Sequence, residues 1–376
     1  KRKKKAINNN SSCYDHEINA LLETMPLARS VSSNDIPALE SIIQSSLTTT
    51  SSKNIGHVQI LTLEQTVGEA FTGGRSTPVF EIKCQVTTKA GIVKERLFIV
   101  KLIFMPTTAK EGGVDSSLCQ KRESYAVERR FYEFIAPELR RVLAIPKLLA
   151  SDHNGSQALP IACWLMTSLR VLYPSHPHVL DANSHMLYAL NWLAQFHAYS
   201  WKTTTTSDWR KHLWERGGFW NKKKKNDDGK LKSSWLNTCK WLSKNHPTYV
   251  TANTKSLATR LSALSEALSD FMLTQSKSSW STMIHGDYKA ANLFFKHRQE
   301  GNDINDDDER AAAAAIDFQY TGAGVPAEDV SYLLFPDAYI NYWDEENSLL
   351  QYYYSTLMDC LMMSNKGGPS SLPWKA

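Results

Sequence analysis

Residues 283–295 read Met-Ile-His-Gly-Asp-Tyr-Lys-Ala-Ala-Asn-Leu-Phe-Phe, and residues 316–319 read Ile-Asp-Phe-Gln. In both stretches apolar residues flank a short polar segment, which predicts buried strands that lead into loops. The first loop holds Asp287 and, five positions later, Asn292, and the second holds Asp317. Phosphoryl transfer from ATP requires a carboxylate that orients and deprotonates the attacking hydroxyl, and an amide oxygen and a second carboxylate that hold Mg²⁺. These three side chains indicate such a site, and the alternative is a β-hairpin with an incidental Asp in its turn.

The same residues carry a resemblance to a known family. His-Gly-Asp-x-x-x-x-Asn at residues 285–292 and Asp-Phe-Gln at residues 317–319 resemble the aminoglycoside phosphotransferase and choline-kinase superfamily, most closely its ecdysteroid-kinase-like, choline/ethanolamine-kinase-like (CHK) branch. The resemblance extends in order over residues 65–361. It implies a two-lobed, protein-kinase-like α+β fold, with an antiparallel sheet and a helix in the N-lobe and a larger, mainly helical C-lobe. It also implies an ATP- and Mg²⁺-dependent phosphotransferase that acts on a hydroxyl of a small molecule.

The resemblance assigns roles to individual residues of these loops. Asp287 would be the base that orients the hydroxyl, and Asn292 and Asp317 would be the metal ligands. His285 is expected to brace the catalytic loop rather than to exchange protons. One position departs from the branch, whose members usually carry Trp two residues after the catalytic Asp, where this chain has Lys289. Protein kinases have a Lys at this offset that neutralises charge on the moving phosphoryl group, so Lys289 joins the catalytic residues and an insect-steroid acceptor does not follow from the resemblance.

A glycine-bearing turn lies between the first two predicted strands and contains Gly68, Gly73 and Gly74. In kinase-like N-lobes such a turn covers the ATP phosphates with backbone N–H groups. These glycines do not follow the G-x-G-x-x-G pattern, so an ordinary hairpin turn is an equal alternative. A later strand, residues 161–169, is expected to run into the hinge that receives adenine, near Met166. The irregular turn also favours a second interpretation, a catalytically silent, kinase-like nucleotide-binding scaffold, against which the intact acidic motif argues.

Lys101 lies within an apolar strand predicted at residues 95–104. A lysine there must reach solvent or meet an anion, because an unpaired buried ammonium is costly. In the kinase arrangement it would meet the α- and β-phosphates and a Glu of the next helix, predicted at residues 117–140. The Glu-x-x-Phe-Tyr spacing resembles the family's helix at Glu128, while Glu123 stays open as the partner. The alternative is that Lys101 extends to solvent from an edge strand.

Composition limits the classes of partner. The chain has 376 residues and a formal charge of +5 at pH 7, and the run Lys1-Arg2-Lys3-Lys4-Lys5 accounts for all of it. A basic face for nucleic acid is therefore not indicated, and the run is a solvated tail, a localisation patch or an anionic-surface contact. The six cysteines include no Cys-x-x-Cys pair, which argues against a zinc site or a disulfide framework and suits a reducing, cytoplasmic location. No apolar stretch approaches the roughly 18 residues of a membrane span.

The pattern along the chain predicts three regions. Residues 1–54 are rich in Asn, Ser and Thr and are expected to be a flexible leader, with one helical segment at residues 35–47. Residues 55–169 are expected to form the N-lobe, because short stretches of alternating apolar and polar residues predict strands. Residues 170–376 are expected to form the C-lobe, with an acceptor-binding helical insertion at about 202–276.

Several C-lobe features have both a structural and a functional interpretation. A helix predicted at residues 181–201 carries His197, which is expected to be a satisfied core histidine. Asp329 stands at the head of a later helix and resembles the family's stabilising Asp. The acidic run at residues 306–309 lacks the glycine and the ligand alternation of a calcium loop and is expected to be a solvated insertion. Six of the 11 Trp residues crowd the start of the insertion and suit either ordinary packing or an acceptor pocket: Trp201, Trp209, Trp214, Trp220, Trp235 and Trp241.

The acceptor is expected to be a small molecule rather than a protein. Protein kinases place a long activation segment between their metal-binding Asp and an Ala-Pro-Glu motif. Here only residues 318–325 separate Asp317 from Pro326-Ala327-Glu328. Pockets lined by Trp provide apolar walls and attract protonated amines, so amino-alcohols and hydrophobic alcohols are both candidates.

Overall fold

The protein divides into two compact units. The first comprises Lys1–Gly113 and Ile145–Ser175, and the second comprises Val114–Ala144 and His176–Ala376. An antiparallel sheet forms the first unit and helices dominate the second, which confirms the predicted α+β class. The computed structural model describes residues 36–50, 55–66, 79–104, 116–151, 161–177, 179–181, 184–202, 209–218, 230–297, 312–337 and 346–363.

Five antiparallel strands form the sheet of the first unit, in the order β1-β2-β3-β5-β4. Their bounds are β1 Ile55–Thr66, β2 Val79–Thr88, β3 Val93–Phe104, β4 Leu148–Ser151 and β5 Ile161–Thr167. Alternate residues of β2 are buried, namely Phe80, Ile82, Cys84 and Val86. The period-two pattern in the sequence is therefore confirmed, since successive side chains of a strand point to opposite faces.

Helix α1, Ile36–Thr50, confirms the predicted helical segment and packs on this sheet. Its Leu39 and Ile43, one turn apart, are buried in the same cluster as β2 and β3. The Ile60 N–H of β1 donates to Glu40 Oε1 at 2.6 Å. The region predicted as a flexible leader thus contributes a core helix, and its other residues, 1–35 and 51–54, lie outside the described part of the chain.

Helix α4, His185–Lys202, is the centre of the second unit, where it packs against helix α8, Glu346–Met363, and strand β6, Thr282–Ile284. The predicted helix at residues 117–140 is present but is interrupted by a π-helical turn, Phe131–Ile135. The described helices are α2 Ser116–Arg130, α3 Ala136–Leu139, α4 His185–Lys202, α5 Lys230–Asn245, α6 Ala252–Gln275, α7 Pro326–Asp337 and α8 Glu346–Met363. The short strands are β6 Thr282–Ile284, β7 Leu293–Phe295, β8 Ala313–Ala315 and β9 Gly322–Gly324.

Two short antiparallel ladders bring the polar loops together. Strand β6 pairs with β9 and β7 pairs with β8, so that Ile284 stands opposite Gly322 and Leu293 stands opposite Ala315. One loop runs from β6 to β7, and the other runs from β8 to β9. The pair Ile284–Gly322 joins one end of each loop, and the pair Leu293–Ala315 joins the other end. The two loops therefore lie side by side.

No helix in the described parts of the chain combines the length and the apolar character that crossing a membrane requires.

Candidate active site

Asp287 lies in the loop between β6 and β7, and its carboxylate is held from two sides. The residue is 6% exposed. Lys289 Nζ lies 3.1 Å from Oδ1 and 3.0 Å from Oδ2 of this carboxylate. Asn292 Nδ2 donates to the backbone carbonyl of Asp287 at 2.8 Å and to Oδ2 at 3.2 Å. The structure therefore brings these three sequence-predicted residues into direct contact.

The surroundings of Asp287 move its pKa in opposite directions. Burial raises the pKa of the carboxyl group above its ordinary value of 3.8, the Lys289 ammonium lowers it, and the charge of Asp317 raises it. The net shift is upward. A carboxylate with a raised pKa is a better base toward a hydroxyl, while the ion pair with Lys289 favours the ionised form that a base must have.

Asp317 follows β8 and has a backbone conformation that is rare for a residue with a side chain. Its φ is +67°, and no other non-glycine residue has a positive φ in the described part of the chain. Its Oδ1 atom is buried and has no hydrogen-bond partner among the described residues. Backbone strain and an unsatisfied buried carboxylate oxygen both cost free energy. The two observations together indicate a position that is maintained for a ligand.

Asn292 and Asp317 suit a Mg²⁺ ion that is shared with phosphate oxygens. Because Asn292 directs its amide nitrogen to Asp287, its amide oxygen takes no part in those bonds. Mg²⁺ is usually held by one or two carboxylates together with substrate phosphates and water. The described residues contain no group of three or more His, Cys, Asp or Glu side chains that could hold a metal ion. The Asp317 carboxylate and the Asn292 amide are oxygen donors of the kind that such a shared ion takes.

His285 connects the two loops through both of its ring nitrogens. Nε2 lies 3.0 Å from the Ile316 carbonyl, and Nδ1 lies 3.4 Å from the Asp287 N–H. These partners require a proton on Nε2 and a free lone pair on Nδ1, which is the neutral ring. Burial lowers the pKa of His285 below its ordinary value of 6.5, although nearby carboxylates oppose the shift. These contacts join the two loops, and the bracing role itself stays a prediction.

Asp329 fixes the start of the catalytic loop from the first turn of α7. Its Oδ2 accepts the His285 N–H at 2.6 Å, and its Oδ1 accepts the Gly286 N–H at 2.8 Å. His197 Nε2 lies 3.2 Å from Oδ2, and its Nδ1 lies 2.7 Å from the Tyr353 hydroxyl. Both nitrogens of His197 thus have partners, as predicted for a core histidine. Sequence reasoning missed Tyr353, because it lies more than 150 residues from His197, on α8.

Phe318 anchors the segment that contains Asp317 in an aromatic cluster. Its ring stacks on Phe131 with centroids 3.8 Å apart and meets Tyr132 edge-on at 5.7 Å. His285 lies against the same ring, at 4.7 Å. Phe131 and Tyr132 begin the π-helical turn that follows α2, a feature that the periodicity of the sequence did not predict. The turn presents both rings to Phe318 and thereby connects α2 with the Asp-Phe-Gln segment.

The predicted nucleotide-binding residues fall in both units. In the first unit, Lys101 on β3 is 8% exposed and lies over the Trp164 ring at 5.3 Å, and Met166 on β5 is buried. In the second, Glu128 on α2 is 1% exposed. The alternative, Glu123, has a side chain that is 46% exposed and pairs with Arg130 at 2.5 Å. Glu128 is therefore better placed than Glu123 for an internal role, and its pairing with Lys101 stays a prediction.

Some predictions lie outside the described residues. They concern the glycine turn with Gly68, Gly73 and Gly74, the acidic run at residues 306–309, and Trp220.

Arg216 and Glu328 form an ion pair that the sequence did not reveal. Arg216 Nη2 lies 3.0 Å from Glu328 Oε2, and the two side chains are only 4% and 13% exposed. Glu328 Oε1 also accepts the Val325 N–H at 3.1 Å. The pair ties the head of α7, immediately before Asp329, to the segment at residues 209–218. The two residues lie 112 positions apart, so no local pattern in the sequence indicates the pair.

Several solved phosphotransferase structures are similar to this chain at low sequence identity. A macrolide 2′-phosphotransferase from Brachybacterium faecium is 15% identical, with 88% of this chain and 89% of that chain covered and a TM-score of 0.38. An aminoglycoside-3′-phosphotransferase of type VIII is 14% identical, with coverage of 84% and 98% and a TM-score of 0.34. An AMP-bound spectinomycin phosphotransferase is 11% identical, with coverage of 85% and 80% and a TM-score of 0.37. At TM-scores below 0.5 these similarities carry no weight for the assignment.

The family model gives the decisive match. No curated protein matches the chain significantly. The model of the ecdysteroid kinase-like family matches residues 74–366, which is well over half of the chain and includes both loops of the site. The resemblance that the motifs predicted is confirmed by this match, and the chain belongs to the ecdysteroid kinase-like family.

Proposed function

We propose that the protein is a phosphotransferase that uses ATP and Mg²⁺ to phosphorylate a hydroxyl group of a small molecule. The observation that supports this most strongly is the arrangement around Asp287. A buried carboxylate with a raised pKa is held by Asn292 and Lys289. The charge of Asp317 acts on this carboxylate, and the buried Oδ1 of Asp317 has no hydrogen-bond partner in the described part of the chain. Phosphoryl transfer needs a base and a metal-binding pair in this relation.

In this proposal Asp287 orients the acceptor hydroxyl and takes up its proton as the oxygen attacks the terminal phosphorus and ADP leaves. Lys289 holds the Asp287 carboxylate and offsets its negative charge, so that an approaching phosphate is repelled less. Asn292 and Asp317 would hold Mg²⁺, which neutralises charge on the phosphate oxygens when it is bound. His285 stays neutral and keeps the two loops in register, because both of its nitrogens are engaged.

The nucleotide side of the proposal is carried by the family resemblance. Lys101 would bind the α- and β-phosphates, with Glu128 as its partner, and the backbone near Met166 would receive adenine. The burial of each of these three residues supports a role inside a site rather than at the surface. A reducing, cytoplasmic setting is part of the same proposal and suits the free thiols Cys84 and Cys239, which are both buried.

The segment after Asp317 supports a small-molecule acceptor. Of the residues that separate Asp317 from Pro326, Gly322–Gly324 form β9 and pair with β6. Only a four-residue turn, residues 318–321, is left between Asp317 and that strand. A peptide substrate would need an extended platform here. The acceptor class is therefore a small alcohol, either hydrophobic or amine-bearing.

The proposal is tested by ADP release from Mg·ATP in the presence of pooled alcohols, amino-alcohols, sugars, sterols and a peptide library. Wild type is expected to turn over at least one small-molecule pool, and Asp287→Asn to lose on the order of 10²–10⁴ in rate. Asp359→Asn makes the same chemical change on the exposed surface of α8, outside the predicted acceptor-binding insertion, and should leave turnover unchanged. Nucleotide binding without turnover of any pool would instead support a catalytically silent scaffold, and labelling of peptides alone would overturn the acceptor class.

A further inference from the structure

The segment at residues 212–218 runs beside the turn that follows Asp317 and donates to three successive carbonyls of it. Trp214 Nε1 donates to the Gln319 carbonyl at 2.8 Å, and the Gly218 N–H donates to the Tyr320 carbonyl at 3.0 Å. The Trp214 N–H donates to the Thr321 carbonyl at 3.1 Å. One short segment therefore fixes every carbonyl between Phe318 and β9.

The same segment extends the β6–β9 ladder. The Ala323 N–H donates to the Trp214 carbonyl at 3.2 Å, and the Gly217 N–H donates to the Ala323 carbonyl at 2.8 Å. A side chain at Gly322 would come within 2.5 Å of the Trp214 carbonyl oxygen. The backbones are thus in direct contact, which leaves the segment little freedom to shift.

The catalytic loop touches the segment as well. Gly286 has a φ of +83°, and a Cβ there would lie 2.3 Å from the Tyr320 carbonyl oxygen and 2.6 Å from the Gly218 nitrogen. Glycine is required at this position, since it alone tolerates both the dihedral angle and the close approach. Residues 214–218 therefore lie against the turn after Asp317 and against the residue that precedes Asp287.

We propose that Trp214 is a positioning residue for the metal-binding carboxylate of Asp317. Asp317 has a left-handed backbone, and such a conformation persists only where its surroundings enforce it. Trp214 constrains it from two residues downstream, because its indole N–H donates to the Gln319 carbonyl. The inference rests on the proposed function. It assigns this Trp to the metal side of the site and not to the wall of an acceptor pocket.

The consequence of losing the indole donor follows from the conformation of Asp317. Without the bond from Trp214 Nε1, the Gln319 carbonyl can rotate, and Asp317 can relax toward an ordinary φ. The buried Oδ1 would then leave its present position, in which none of the residues that the structure describes forms a hydrogen bond with it. Mg²⁺ affinity should fall, whereas nucleotide contacts made by other residues should persist.

Trp235 provides a matched control. Its Nε1 donates to the Thr254 carbonyl at 2.7 Å, and like Trp214 it is partly buried. Trp235 lies on α5 and bonds the first turns of α6, so Trp235→Phe removes the same kind of hydrogen bond without touching the two loops. Both Phe variants should lose similar stability, of the size of one hydrogen bond.

The experiment is calorimetric titration of nucleotide at a series of Mg²⁺ concentrations, combined with thermal unfolding. Trp214→Phe is expected to raise the apparent Mg²⁺ dissociation constant by roughly 3–10-fold, the effect of one net hydrogen bond. The nucleotide affinity of Trp214→Phe without metal should be unchanged. Trp235→Phe should match wild type both in the apparent Mg²⁺ dissociation constant and in nucleotide affinity without metal. Trp214→His keeps a ring N–H donor and should recover part of the Mg²⁺ affinity that Trp214→Phe loses. Should Trp214→Phe fail to fold, Trp214→Met, which also lacks the N–H donor, takes its place and should show the same loss.

The titrations separate failure of the Trp214 positioning role from failure of the proposed function. Equal Mg²⁺ dissociation constants for Trp214→Phe and Trp235→Phe, with wild type binding Mg-nucleotide normally, would overturn the positioning role and leave the proposed function standing. Failure of wild type itself to bind nucleotide in a Mg²⁺-dependent manner would overturn the proposed function, and the positioning role with it.

Discussion

The catalytic loop and the helical pair α5–α6 are held in place by different kinds of contact. Every residue from 281 to 288 is buried, and the polar groups of the loop bond to partners far along the chain, such as Asp329 and Ile316. In α5 and α6 most side-chain hydrogen bonds reach back three or four residues within the same helix. Large apolar residues of this pair are exposed, among them Leu236, Trp241, Leu264 and Phe271.

These two kinds of contact predict which substitutions should have large effects on stability and activity. At the catalytic loop, the Asp329 side chain accepts hydrogen bonds from two buried backbone N–H groups, so its removal leaves both donors without partners. In the helical pair, an exposed side chain can be replaced at little cost, because the local helical bonds do not depend on it. Chemically identical substitutions in the two regions should therefore have very different effects.

The largest difference is expected for Asp329→Ala compared with Asp270→Ala. Loss of Asp329 leaves the N–H groups of His285 and Gly286 buried without acceptors, each at about 1–3 kcal/mol. The free energy of unfolding should fall by about 3–5 kcal/mol, with loss of phosphotransfer. Asp270 is exposed on α6, and its removal should change stability by less than about 0.5 kcal/mol. Urea denaturation measures both, and similar losses in the two variants would show that Asp329 does not organise the loop.

An intermediate effect, a shift of the pH–rate profile, is expected for Lys289→Ala but not for Lys240→Ala. Because the Lys289 ammonium lowers the pKa of Asp287, its removal lets burial and Asp317 raise that pKa further. The base must be ionised, so the acid limb of the pH–rate profile should move to higher pH. Lys240 is exposed on α5, and its removal should leave the profile in place. An acid limb that stays fixed or moves to lower pH in Lys289→Ala would show that Lys289 does not lower the pKa of Asp287.

The smallest effect is expected for Leu264→Ala on α6. Leu264 is 60% exposed, and its truncation should change the free energy of unfolding by less than about 0.5 kcal/mol. Leu293 is fully buried at the end of the catalytic loop, and Leu293→Ala should cost about 2–5 kcal/mol. Denaturation of the two variants under the same conditions makes the comparison. A large loss in Leu264→Ala would mean that the exposed face of α6 is covered in solution.

Local spacing explains why much of the site could be predicted from the sequence. Asp287 and Asn292 are five residues apart in one loop, so the contact between them is largely a local matter. The helix predicted at residues 181–201 is likewise observed, as α4 at His185–Lys202, because helical periodicity is a local signal. Strand β2 followed from period-two alternation in the same way.

Long-range contacts explain why the rest could not be predicted. Trp214 meets Gln319, and Arg216 meets Glu328, across more than 100 residues of chain. The π-helical turn at Phe131–Ile135 depends on packing of its aromatic rings against Phe318. Helix α1 was recognised as a helix, but nothing in its own sequence showed that it packs on the sheet. Such features are set by tertiary packing, which overrides local propensity.

Calorimetric titration of ATP into wild type, Asp287→Asn and Asp317→Ala, with and without Mg²⁺, tests most directly whether Asp317 binds the metal and Asp287 faces the acceptor. This test needs no knowledge of the acceptor. Asp287→Asn should bind Mg·ATP within a few-fold of wild type, because Asp287 faces the acceptor in this account. Asp317→Ala should lose at least about tenfold in Mg²⁺-dependent affinity, because it removes a metal ligand. Wild-type affinity and an unaltered Mg²⁺ requirement in Asp317→Ala would contradict the account.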